Sequence, residues 1–475
     1  MSDLVRLAHC ELSGLKNVEY GYVEFPNANS IERRATIEKN DILGIYGQNG
    51  SGKTAMVEAL DIAKTLMMGR IISYDEYGGI ISPSGSSLDL TYLIVNGEQS
   101  YKVSYYFELV ADGNNKIVAP VKESITIWGR KKGWVQKRYI EVCNQYYNSQ
   151  ANIFSTKSNL NTFDGFKNQE ELTRLPIISL SDRVCMFCAS KGGLSYFFND
   201  QSLSSLESFD PISDDIKELK SILLLLANHA YVSMFVIKVD QLGEINDKIW
   251  LPLNLSSRED RKTFAGLTHI PLRTFGTTQI PQTFLQRIEE TINSINYALT
   301  AIVPGLKILL KTTSEEIDVK GNVLYNVELI SERDGRQFPT RFESEGIKRI
   351  ISILSCLVSV YNNPMTSLVV DELDSGVFEY LLGEILGIMA TEAKGQLIFT
   401  SHNLRAFEML DNCNIICSTT NPKNRYVRLS GVQPNNNKRD FYIRSLSLGG
   451  QKESLYNGED LENLGYAFRK AGHQE

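Results

Sequence analysis

The sequence predicts an α/β fold in which a mixed sheet with helices is joined by an antiparallel β subdomain and a short helical arm. Three short apolar runs between residues 367 and 417 are separated by helical or polar stretches, as buried parallel strands are. A glycine-rich loop near residue 50 stands between an apolar strand and a helical stretch. Residues 88–142 alternate Tyr, Val and Ile between turn signals, which indicates antiparallel hairpins.

The bulk composition is that of an ordinary soluble protein of 475 residues, with 42% hydrophobic and 22% charged residues. A formal net charge of -7 does not indicate a surface that is basic throughout, so charge alone does not imply nucleic-acid binding. No apolar stretch is long enough to span a bilayer, and no apolar run follows a positive start at the N-terminus. We therefore expect a cytoplasmic protein without a membrane partner.

Seven cysteines are scattered along the chain without the spacing of a disulfide framework, which favours a reducing compartment. Cys185 and Cys188 have CxxC spacing, but no second CxxC or paired histidine completes a zinc site. Buried free thiols are the prediction for this pair.

The N-terminal part of the chain predicts a strand, a loop and a helix in direct succession. Residues 4–46 alternate apolar and polar positions in short runs and end in the apolar run Asp41–Tyr46. From Thr54 to Met68 the apolar residues follow helical spacing.

The middle of the chain is less regular. Residues 144–212 are polar with weak periodicity, so the sequence does not place them. Helical spacing returns at Ser213–Met234 and Pro281–Ile302, two helices that could pack on each other as the short arm. Lys307–Phe342 predicts further strands, and Gly346–Val360 predicts a helix.

Three buried parallel strands are expected after that helix, at Ser367–Val370, Gln396–Thr400 and Asn414–Cys417, with a last helix near Glu459–Ala471. The chain then divides into three segments, which are an N-terminal lobe at 1–142, an insertion with the helical arm at 143–305 and a C-terminal lobe at 306–475.

The loop Gly47–Thr54 has the pattern GxxxxGK[ST] between a strand and a helix, which is the context in which this pattern binds phosphate. Its glycines let consecutive backbone amides curl around phosphate oxygens, and the positive end of the helix points at them. Lys53 supplies a point charge and Thr54 a hydroxyl for magnesium. A plain glycine-rich turn is the alternative. The expected ligands are Gly47, Asn49, Gly50, Ser51, Gly52, Lys53 and Thr54.

Two adjacent carboxylates, Asp371 and Glu372, end the apolar run Ser367–Val370. Neighbouring side chains of a strand point to opposite faces, so Asp371 is expected to hold a metal's water shell while Glu372 faces an attacking water. Glu372 would be the general base for in-line attack on a γ-phosphate. Alone, the pair could equally cap a helix. Its combination with the phosphate loop favours the catalytic interpretation.

His402 follows the next apolar run, Leu397–Ser401. A single histidine is usually a satisfied surface or core residue. Its position after the strand that follows the two carboxylates favours a sensor of the γ-phosphate.

The order of these features resembles that of the ABC-type ATPases of the SMC and RecF group: a phosphate loop, a long insertion, Phe342–Arg349, Asp371-Glu372 and His402. The resemblance implies ATP and Mg²⁺ as cofactors. It also implies a homodimer or higher homo-oligomer in which Ser344 and Gly346 touch the γ-phosphate held by a second subunit. The usual double glycine of that signature is missing here, and the alternative for Ser344 is a simple helix cap with Lys348 on a solvated face.

Further positions follow from the same resemblance. Asp374, in Leu373–Gly376, would belong to the D-loop that communicates across the dimer. Lys16 and Asn17 would contact adenine or phosphate. The glutamine loop of the family is not placed by the sequence.

Within the group, the chain is most similar to OLD-like ATPases of bacterial phage defence and to the ATPase subunits of two-component PARIS systems. The similar segments are Ile45–Thr54, Glu343–Gly346, Asp371–Gly376 and Leu448–Tyr456. The resemblance implies a regulatory ATPase that holds a separate effector nuclease until a phage-derived trigger is sensed. The stretch after His402 is too short for a Toprim nuclease domain, so a Toprim-type effector would be a separate chain.

Two alternatives stay open. Arg130–Arg138 places five cations near Trp134, which suits nucleic acid or, equally, a solvated hairpin turn. A DNA-binding repair ATPase of the RecF kind is therefore the second hypothesis. A nuclease within residues 144–212 is the third.

Overall fold

A computed structural model describes residues 3–26, 41–130, 134–143, 161–238, 248–252, 269–273, 276–317, 321–432, 437–456 and 464–472. The strands are β1 Leu4–Leu15, β2 Val18–Glu24, β3 Asp41–Tyr46, β4 Ser86–Asn96, β5 Gln99–Asp112, β6 Ile117–Arg130, β7 Trp134–Cys143, β8 Asn161–Asp164, β9 Met234–Ile237, β10 Lys248–Pro252, β11 His269–Arg273, β12 Thr278–Pro281, β13 Leu306–Ile317, β14 Val323–Arg333, β15 Arg336–Pro339, β16 Ser367–Val370, β17 Gln396–Ser401, β18 Ile415–Ser418 and β19 Tyr426–Val427.

The α-helices are α1 Lys53–Met67, α2 Tyr74–Tyr77, α3 Gln169–Arg174, α4 Pro176–Ser179, α5 Ser181–Ser190, α6 Asp200–Ser208, α7 Asp214–Asn228, α8 Gln282–Ile302, α9 Glu345–Asn362, α10 Glu379–Glu392, α11 Leu404–Met409, α12 Lys438–Leu448 and α13 Leu464–Gly472. A π-helix spans His229–Ser233, and 3₁₀ turns span Thr340–Phe342 and Asn412–Asn414. Among the described residues, no helix is both long enough and apolar enough to span a membrane.

The fold is α/β, and its centre is a six-stranded sheet in the order β19-β18-β3-β17-β16-β9. All of its pairs are parallel except the antiparallel pair of β18 and β19. The three apolar runs after α9 form β16, β17 and β18, which confirms the predicted parallel strands. Strand β17 lies between β3, which leads into the glycine-rich loop Gly47–Thr54, and β16, which ends at the two carboxylates.

Two hydrophobic cores cover the two faces of this sheet, because successive side chains of a strand point to opposite faces. Leu43, Ile45 and Val369 belong to the core shared with α1 and the antiparallel sheet. Leu397 and Phe399 belong to the core shared with α8, α9 and α10. Burial on both faces explains why these strands are continuous apolar runs rather than alternating ones.

A seven-stranded antiparallel sheet, in the order β2-β1-β4-β5-β6-β7-β8, packs over α1. Its hairpins turn after Asn96 and Asp112, as the turn signals predicted. The turn signal at Lys132-Gly133 lies outside the described residues.

The two helices considered as an arm pack separately. Helix α7 buries Leu219 and Leu223 in the first core, whereas α8 buries Ile288 and Ile292 in the second. The helix predicted over Ser213–Met234 is also shorter, since α7 ends at Asn228 and the chain passes through the π-helix into β9. Strand β9 completes the parallel sheet beside β16, with Ile237 opposite Val370, and this pairing ends the helix.

Residues 161–212 form a strand and four short helices, which the sequence did not place. Cys185 and Cys188 are both buried in the first core, as expected for free thiols. The buried carboxylate of Glu123 accepts hydrogen bonds from Tyr105 Oη at 2.6 Å and Ser195 Oγ at 2.7 Å. The bond from Ser195 joins the second half of the segment to the antiparallel sheet, since Tyr105 and Glu123 both belong to that sheet.

His229 begins the π-helix and is 1% exposed, and its Nδ1 has no hydrogen-bond partner among the described residues. Burial, together with the nearby charges of Arg6 and Lys64, lowers the pKa of His229 from 6.5 to about 3. The folded protein therefore keeps this ring neutral at pH values where the unfolded chain protonates it.

We expect acid to destabilise the protein through His229. Below pH 6.5 the imidazole of the unfolded chain binds a proton, whereas that of the folded protein stays neutral down to about pH 3. The free energy of unfolding therefore falls as the pH drops through this window. The slope is at most about 1.4 kcal/mol per pH unit for one group. Thermal unfolding midpoints at pH 7 and pH 5 should differ less in His229→Gln, which cannot titrate, than in the wild type. An unchanged difference would contradict the prediction.

Candidate active site

The glycine-rich loop joins β3 to α1 and is shaped by residues with positive φ. Gly50 has φ 75° and Gly52 has φ 89°, a left-handed region that favours glycine. A side chain at Gly52 would also lie 2.9 Å from Val18 Cγ2. Gly52 precedes the first turn of α1, which has no side-chain cap, so its amide groups are available to an anion.

Lys53 is 6% exposed, and its Nζ donates hydrogen bonds to the carbonyl oxygens of Gly47 and Gln48, both at 3.0 Å. Burial lowers the pKa of Lys53, whereas the charges of Asp371 and Glu372 raise it. The ammonium group of Lys53 thus lies between the glycine-rich loop and the two carboxylates. A phosphate group bound by the loop would need a cation at this position to offset its negative charge.

Residues outside the glycine-rich loop hold it in place by hydrogen bonds, and two of them lie more than three hundred residues further along the chain. Ser418 Oγ and Ser51 Oγ are 2.5 Å apart, and Tyr426 Oη donates to Gly52 O at 2.6 Å. The side-chain amide of Asn17 donates to Gly50 O. The sequence assigned no role to Ser418 or Tyr426, because only the pairing of β18 with β3 and β19 brings them there.

The two carboxylates do not point to opposite faces as an extended strand would require. Strand β16 ends at Val370, and Glu372 has a left-handed backbone with φ 47°. This turn brings Asp371 and Glu372 to one cavity. A left-handed non-glycine residue costs about 1–3 kcal/mol, and such backbone conformations concentrate at functional sites.

One cavity of about 380 Å³ collects most of the residues that the sequence singled out. Its lining residues are Lys16, Asn17, Asn49, Gly50, Gly52, Lys53, Thr54, Ala55, Asp371, Glu372 and His402. Gly47 and Ser51 belong to the loop but do not line the cavity, and neither do Ser344, Gly346 and Asp374.

The oxygen atoms at one side of this cavity suit a small divalent cation. Asp371 is 0% exposed, and its Oδ2 has no hydrogen-bond partner among the described residues. The hydroxyl-bearing Thr54 lines the same cavity. Mg²⁺ takes oxygen ligands, commonly one or two from the protein with water and phosphate completing the set. The site therefore fits Mg²⁺ held with a phosphorylated ligand.

His402 lies at the rim and is exposed. Partial desolvation lowers the pKa of the imidazole, the charge of Lys53 lowers it further, and the charges of Asp374 and Glu372 oppose both. A neutral ring can still donate one hydrogen bond to a phosphate oxygen. The backbone amide of His402 donates to Asp374 Oδ2 at 3.0 Å.

Lys16 and Asn17 lie in the turn between β1 and β2 and form one wall of the cavity. Lys16 has φ 52°, and its Nζ is 2.6 Å from Glu58 Oε1. Asn17 also accepts a hydrogen bond from Arg425 through its backbone oxygen. The lysine is thus restrained beside the first turns of α1, with its charge partly offset by Glu58.

Ser344 caps α9, and its Oγ accepts a hydrogen bond from Ile347 N at 3.3 Å. The side chain is exposed. The alternative interpretation of Ser344 placed Lys348 on a solvated face, but Lys348 is 9% exposed and its Nζ lies 2.6 Å from Glu345 Oε1. A Cβ on Gly346 would lie 2.3 Å from Gly376 O. The start of α9 therefore packs directly on the turn that follows the acids.

Gly346→Ala should destabilise the protein, because the new methyl group collides with the backbone of Gly376. Overpacking of this kind costs about 1–3 kcal/mol. Thermal denaturation measures the loss. Gly79→Ala is the matched control, since a Cβ there would meet nothing within 4 Å. Equal unfolding midpoints for the two variants would show that the contact with Gly376 does not constrain Gly346.

Arg349 ends the segment Phe342–Arg349, in which the sequence predicts no role for it. It is 3% exposed, and its Nη2 donates to the backbone oxygens of Asp371 at 3.4 Å and Glu372 at 3.5 Å. Burial lowers the pKa of Arg349 to about 10, against the raising effect of the three nearby acids. The sequence does contain a sign of this role, since Arg349 lies beside the apolar stripe of α9. A cation at such a position is expected to be buried, and a buried cation needs an anionic neighbour.

The basic hairpin Arg130–Arg138 is described only in part. Residues 131–133, and the side chains of residues 130–137, lie outside the described part. Arg138 is 1% exposed, pairs with Glu218 and donates to Asp215 O at 2.8 Å, so this cation is not available to nucleic acid.

No protein-family profile and no curated protein matches the chain. Solved structures similar to it include the Smc head bound to the C-winged helix domain of ScpA, 11% identical over 90% of this chain and 98% of that chain, with a TM-score of 0.40. The SMC head domain from Thermotoga maritima is 13% identical over 90% and 99% of the two chains, with a TM-score of 0.37. The Smc head domain with an extended coiled coil, bound to the C-terminal domain of ScpA derived from Pyrococcus furiosus, is 12% identical over 94% and 99%, with a TM-score of 0.37.

Proposed function

We propose that this protein binds and hydrolyses ATP in the cavity between α1 and the ends of β16 and β17. One observation carries the proposal. The phosphate loop with Lys53 and Thr54 shares this cavity with Asp371, Glu372 and His402, although more than three hundred residues separate the two groups in the chain. A phosphate cradle that faces an acid pair is the arrangement that phosphoryl transfer to water needs.

Each residue has a distinct task in this proposal. The amides of the loop and the start of α1 bind the β- and γ-phosphates, and Lys53 offsets their charge. Thr54 and Asp371 would hold Mg²⁺, which neutralises charge that develops on the phosphate oxygens. Glu372 accepts a proton from the attacking water, and His402 donates a hydrogen bond to the γ-phosphate.

Phosphate release from ATP by the purified protein tests the proposal. We expect turnover with Mg²⁺ and none with EDTA, together with a rise in the thermal unfolding midpoint when ATP is added. Absence of both turnover and ATP-dependent stabilisation would refute it.

We further propose that ATP binding and hydrolysis switch a partner protein on or off rather than produce motion. The similarity of its sequence segments to OLD-like and PARIS ATPases supports a cytoplasmic anti-phage scaffold that controls a separate Toprim-type effector nuclease. Ser344 and Gly346 are exposed or half-exposed outside the cavity, which supports a homodimer or higher homo-oligomer in which they reach a second subunit's ATP.

Co-purification with the products of neighbouring genes, with and without ATP, tests this role. We expect an ATP-dependent homo-oligomer that captures a nuclease and releases it when a phage-derived trigger is present. ATP-dependent, salt-sensitive binding of duplex DNA in the absence of a protein partner would instead support a repair ATPase.

A further inference from the structure

Thr400 lies on β17, is 0% exposed and contacts both catalytic acids through one hydroxyl. Its Oγ1 donates a hydrogen bond to Asp371 Oδ1 at 2.5 Å and accepts one from Glu372 N at 2.8 Å. A threonine hydroxyl has a single proton, and the Glu372 amide occupies a lone pair of the oxygen, so the proton is directed at Asp371.

The end of β17 also holds the next two residues. Leu373 N donates to Thr400 O at 3.0 Å, and Asp374 Oδ2 accepts from His402 N at 3.0 Å. We call Asp371–Asp374 the acid turn. Each of its four residues has a hydrogen bond to residues 400–402.

The Thr400 hydroxyl makes the two carboxylate oxygens of Asp371 inequivalent. Oδ1 is engaged by Thr400, whereas Oδ2 is buried without a hydrogen-bond partner among the described residues. The second bond of the hydroxyl fixes the amide of Glu372, the residue with φ 47°. The orientation of one acid and the backbone turn that carries the other thus depend on the same oxygen atom.

The strand itself does not require this hydroxyl. Valine has nearly the same branched shape and a high preference for strands, so packing alone would be served equally well. A hydroxyl in a fully buried position is retained at a cost unless it has hydrogen-bond partners. Here those partners are the carboxylate of Asp371 and the backbone amide of Glu372.

We propose that Thr400 is the positioning residue of the acid turn. Its hydroxyl leaves one oxygen of Asp371 for Mg²⁺, which Asp371 would hold, and fixes the backbone turn that presents Glu372. This inference rests on the proposed ATPase function. It adds a residue whose task is geometric, since Thr400 does not line the cavity.

Thr400→Val, Thr400→Ser and the control Thr126→Val test the inference. Thr126 is 9% exposed on β6 in the antiparallel sheet, so its variant reports the general effect of removing a buried hydroxyl. We expect Thr400→Val to lower kcat for MgATP about ten- to a hundredfold, the range for losing a hydrogen bond to a charged group. Thr400→Ser and Thr126→Val should stay within about threefold of the wild type.

Two binding measurements separate positioning from a loss of structure. The affinity for ATP in EDTA should be unchanged in Thr400→Val, because the phosphate loop is intact. The affinity for Mn²⁺ in the presence of a non-hydrolysable ATP analogue, measured by electron paramagnetic resonance, should fall about tenfold or more. A Thr400→Val protein with wild-type kcat and Mn²⁺ affinity would overturn the inference while leaving the ATPase proposal intact.

If Thr400→Val does not fold, Thr400→Cys replaces it. A thiol is larger than a hydroxyl group and is only a weak hydrogen-bond donor. We expect the cysteine variant to lose kcat and Mn²⁺ affinity relative to Thr400→Ser. Equal values for the two variants would overturn the inference. A wild-type protein that neither binds nor hydrolyses ATP would refute the proposed function itself.

Discussion

Lys53→Ala should weaken ATP binding about a hundredfold and abolish measurable hydrolysis. The ammonium group is 6% exposed between the loop carbonyls and the acid turn, so alanine removes a buried cation from the phosphate site. Loss of a buried charge-assisted contact with phosphate is worth about 1.5–3 kcal/mol, or roughly one to two powers of ten. Titration with a fluorescent ATP analogue measures the affinity, and phosphate release measures turnover.

Lys452→Ala is the control for this experiment, because Lys452 is an exposed lysine away from the cavity. The control should bind ATP as the wild type does. If Lys53→Ala retained both ATP binding and turnover, the assignment of the loop as the phosphate site would be lost.

Glu372→Gln should slow ATP hydrolysis by roughly two to four powers of ten, the contribution expected of a general base. Glutamine keeps the size of the side chain and the left-handed turn but cannot accept a proton from water. ATP affinity should change little, because the phosphate loop and Asp371 are untouched. Single-turnover phosphate release and equilibrium ATP binding separate these two effects.

Glu384→Gln gives the matched control, since Glu384 is half exposed on α10 and does not line the cavity. Wild-type turnover in Glu372→Gln would remove Glu372 from the role of base. A variant that hydrolyses slowly because it no longer binds ATP would point to a structural role instead.

The sequence determined the local elements around the site. The apolar run Asp41–Tyr46, the glycines of the loop and the helical spacing after Thr54 predicted β3, the loop and α1 almost to the residue. Ser367–Val370 was predicted without error because a strand buried on both faces leaves a continuous apolar run. The spacing of apolar residues is sufficient to predict a helix or strand whose structure does not depend on pairing with another element.

Local patterns failed where a neighbour decided the outcome. The helical spacing of Ser213–Met234 continues into β9, yet pairing with β16 converts its end to a strand. The expected opposite faces of Asp371 and Glu372 follow from extended backbone, whereas Glu372 has a left-handed backbone and its amide donates a hydrogen bond to Thr400. In both cases hydrogen bonds from another strand outweigh the local preference.

The sequence by itself therefore determined that the chain carries a loop of the pattern GxxxxGK[ST], an acid pair and a histidine, each at the end of a predicted strand. Only the tertiary structure decided that they meet, because β17 lies between β3 and β16 and aligns the ends of all three strands. No sequence pattern marks Thr400, and Arg349 is marked only by its place beside the apolar stripe of α9. What distinguishes both residues is their hydrogen bonds to Asp371 and Glu372, which form only in the folded chain.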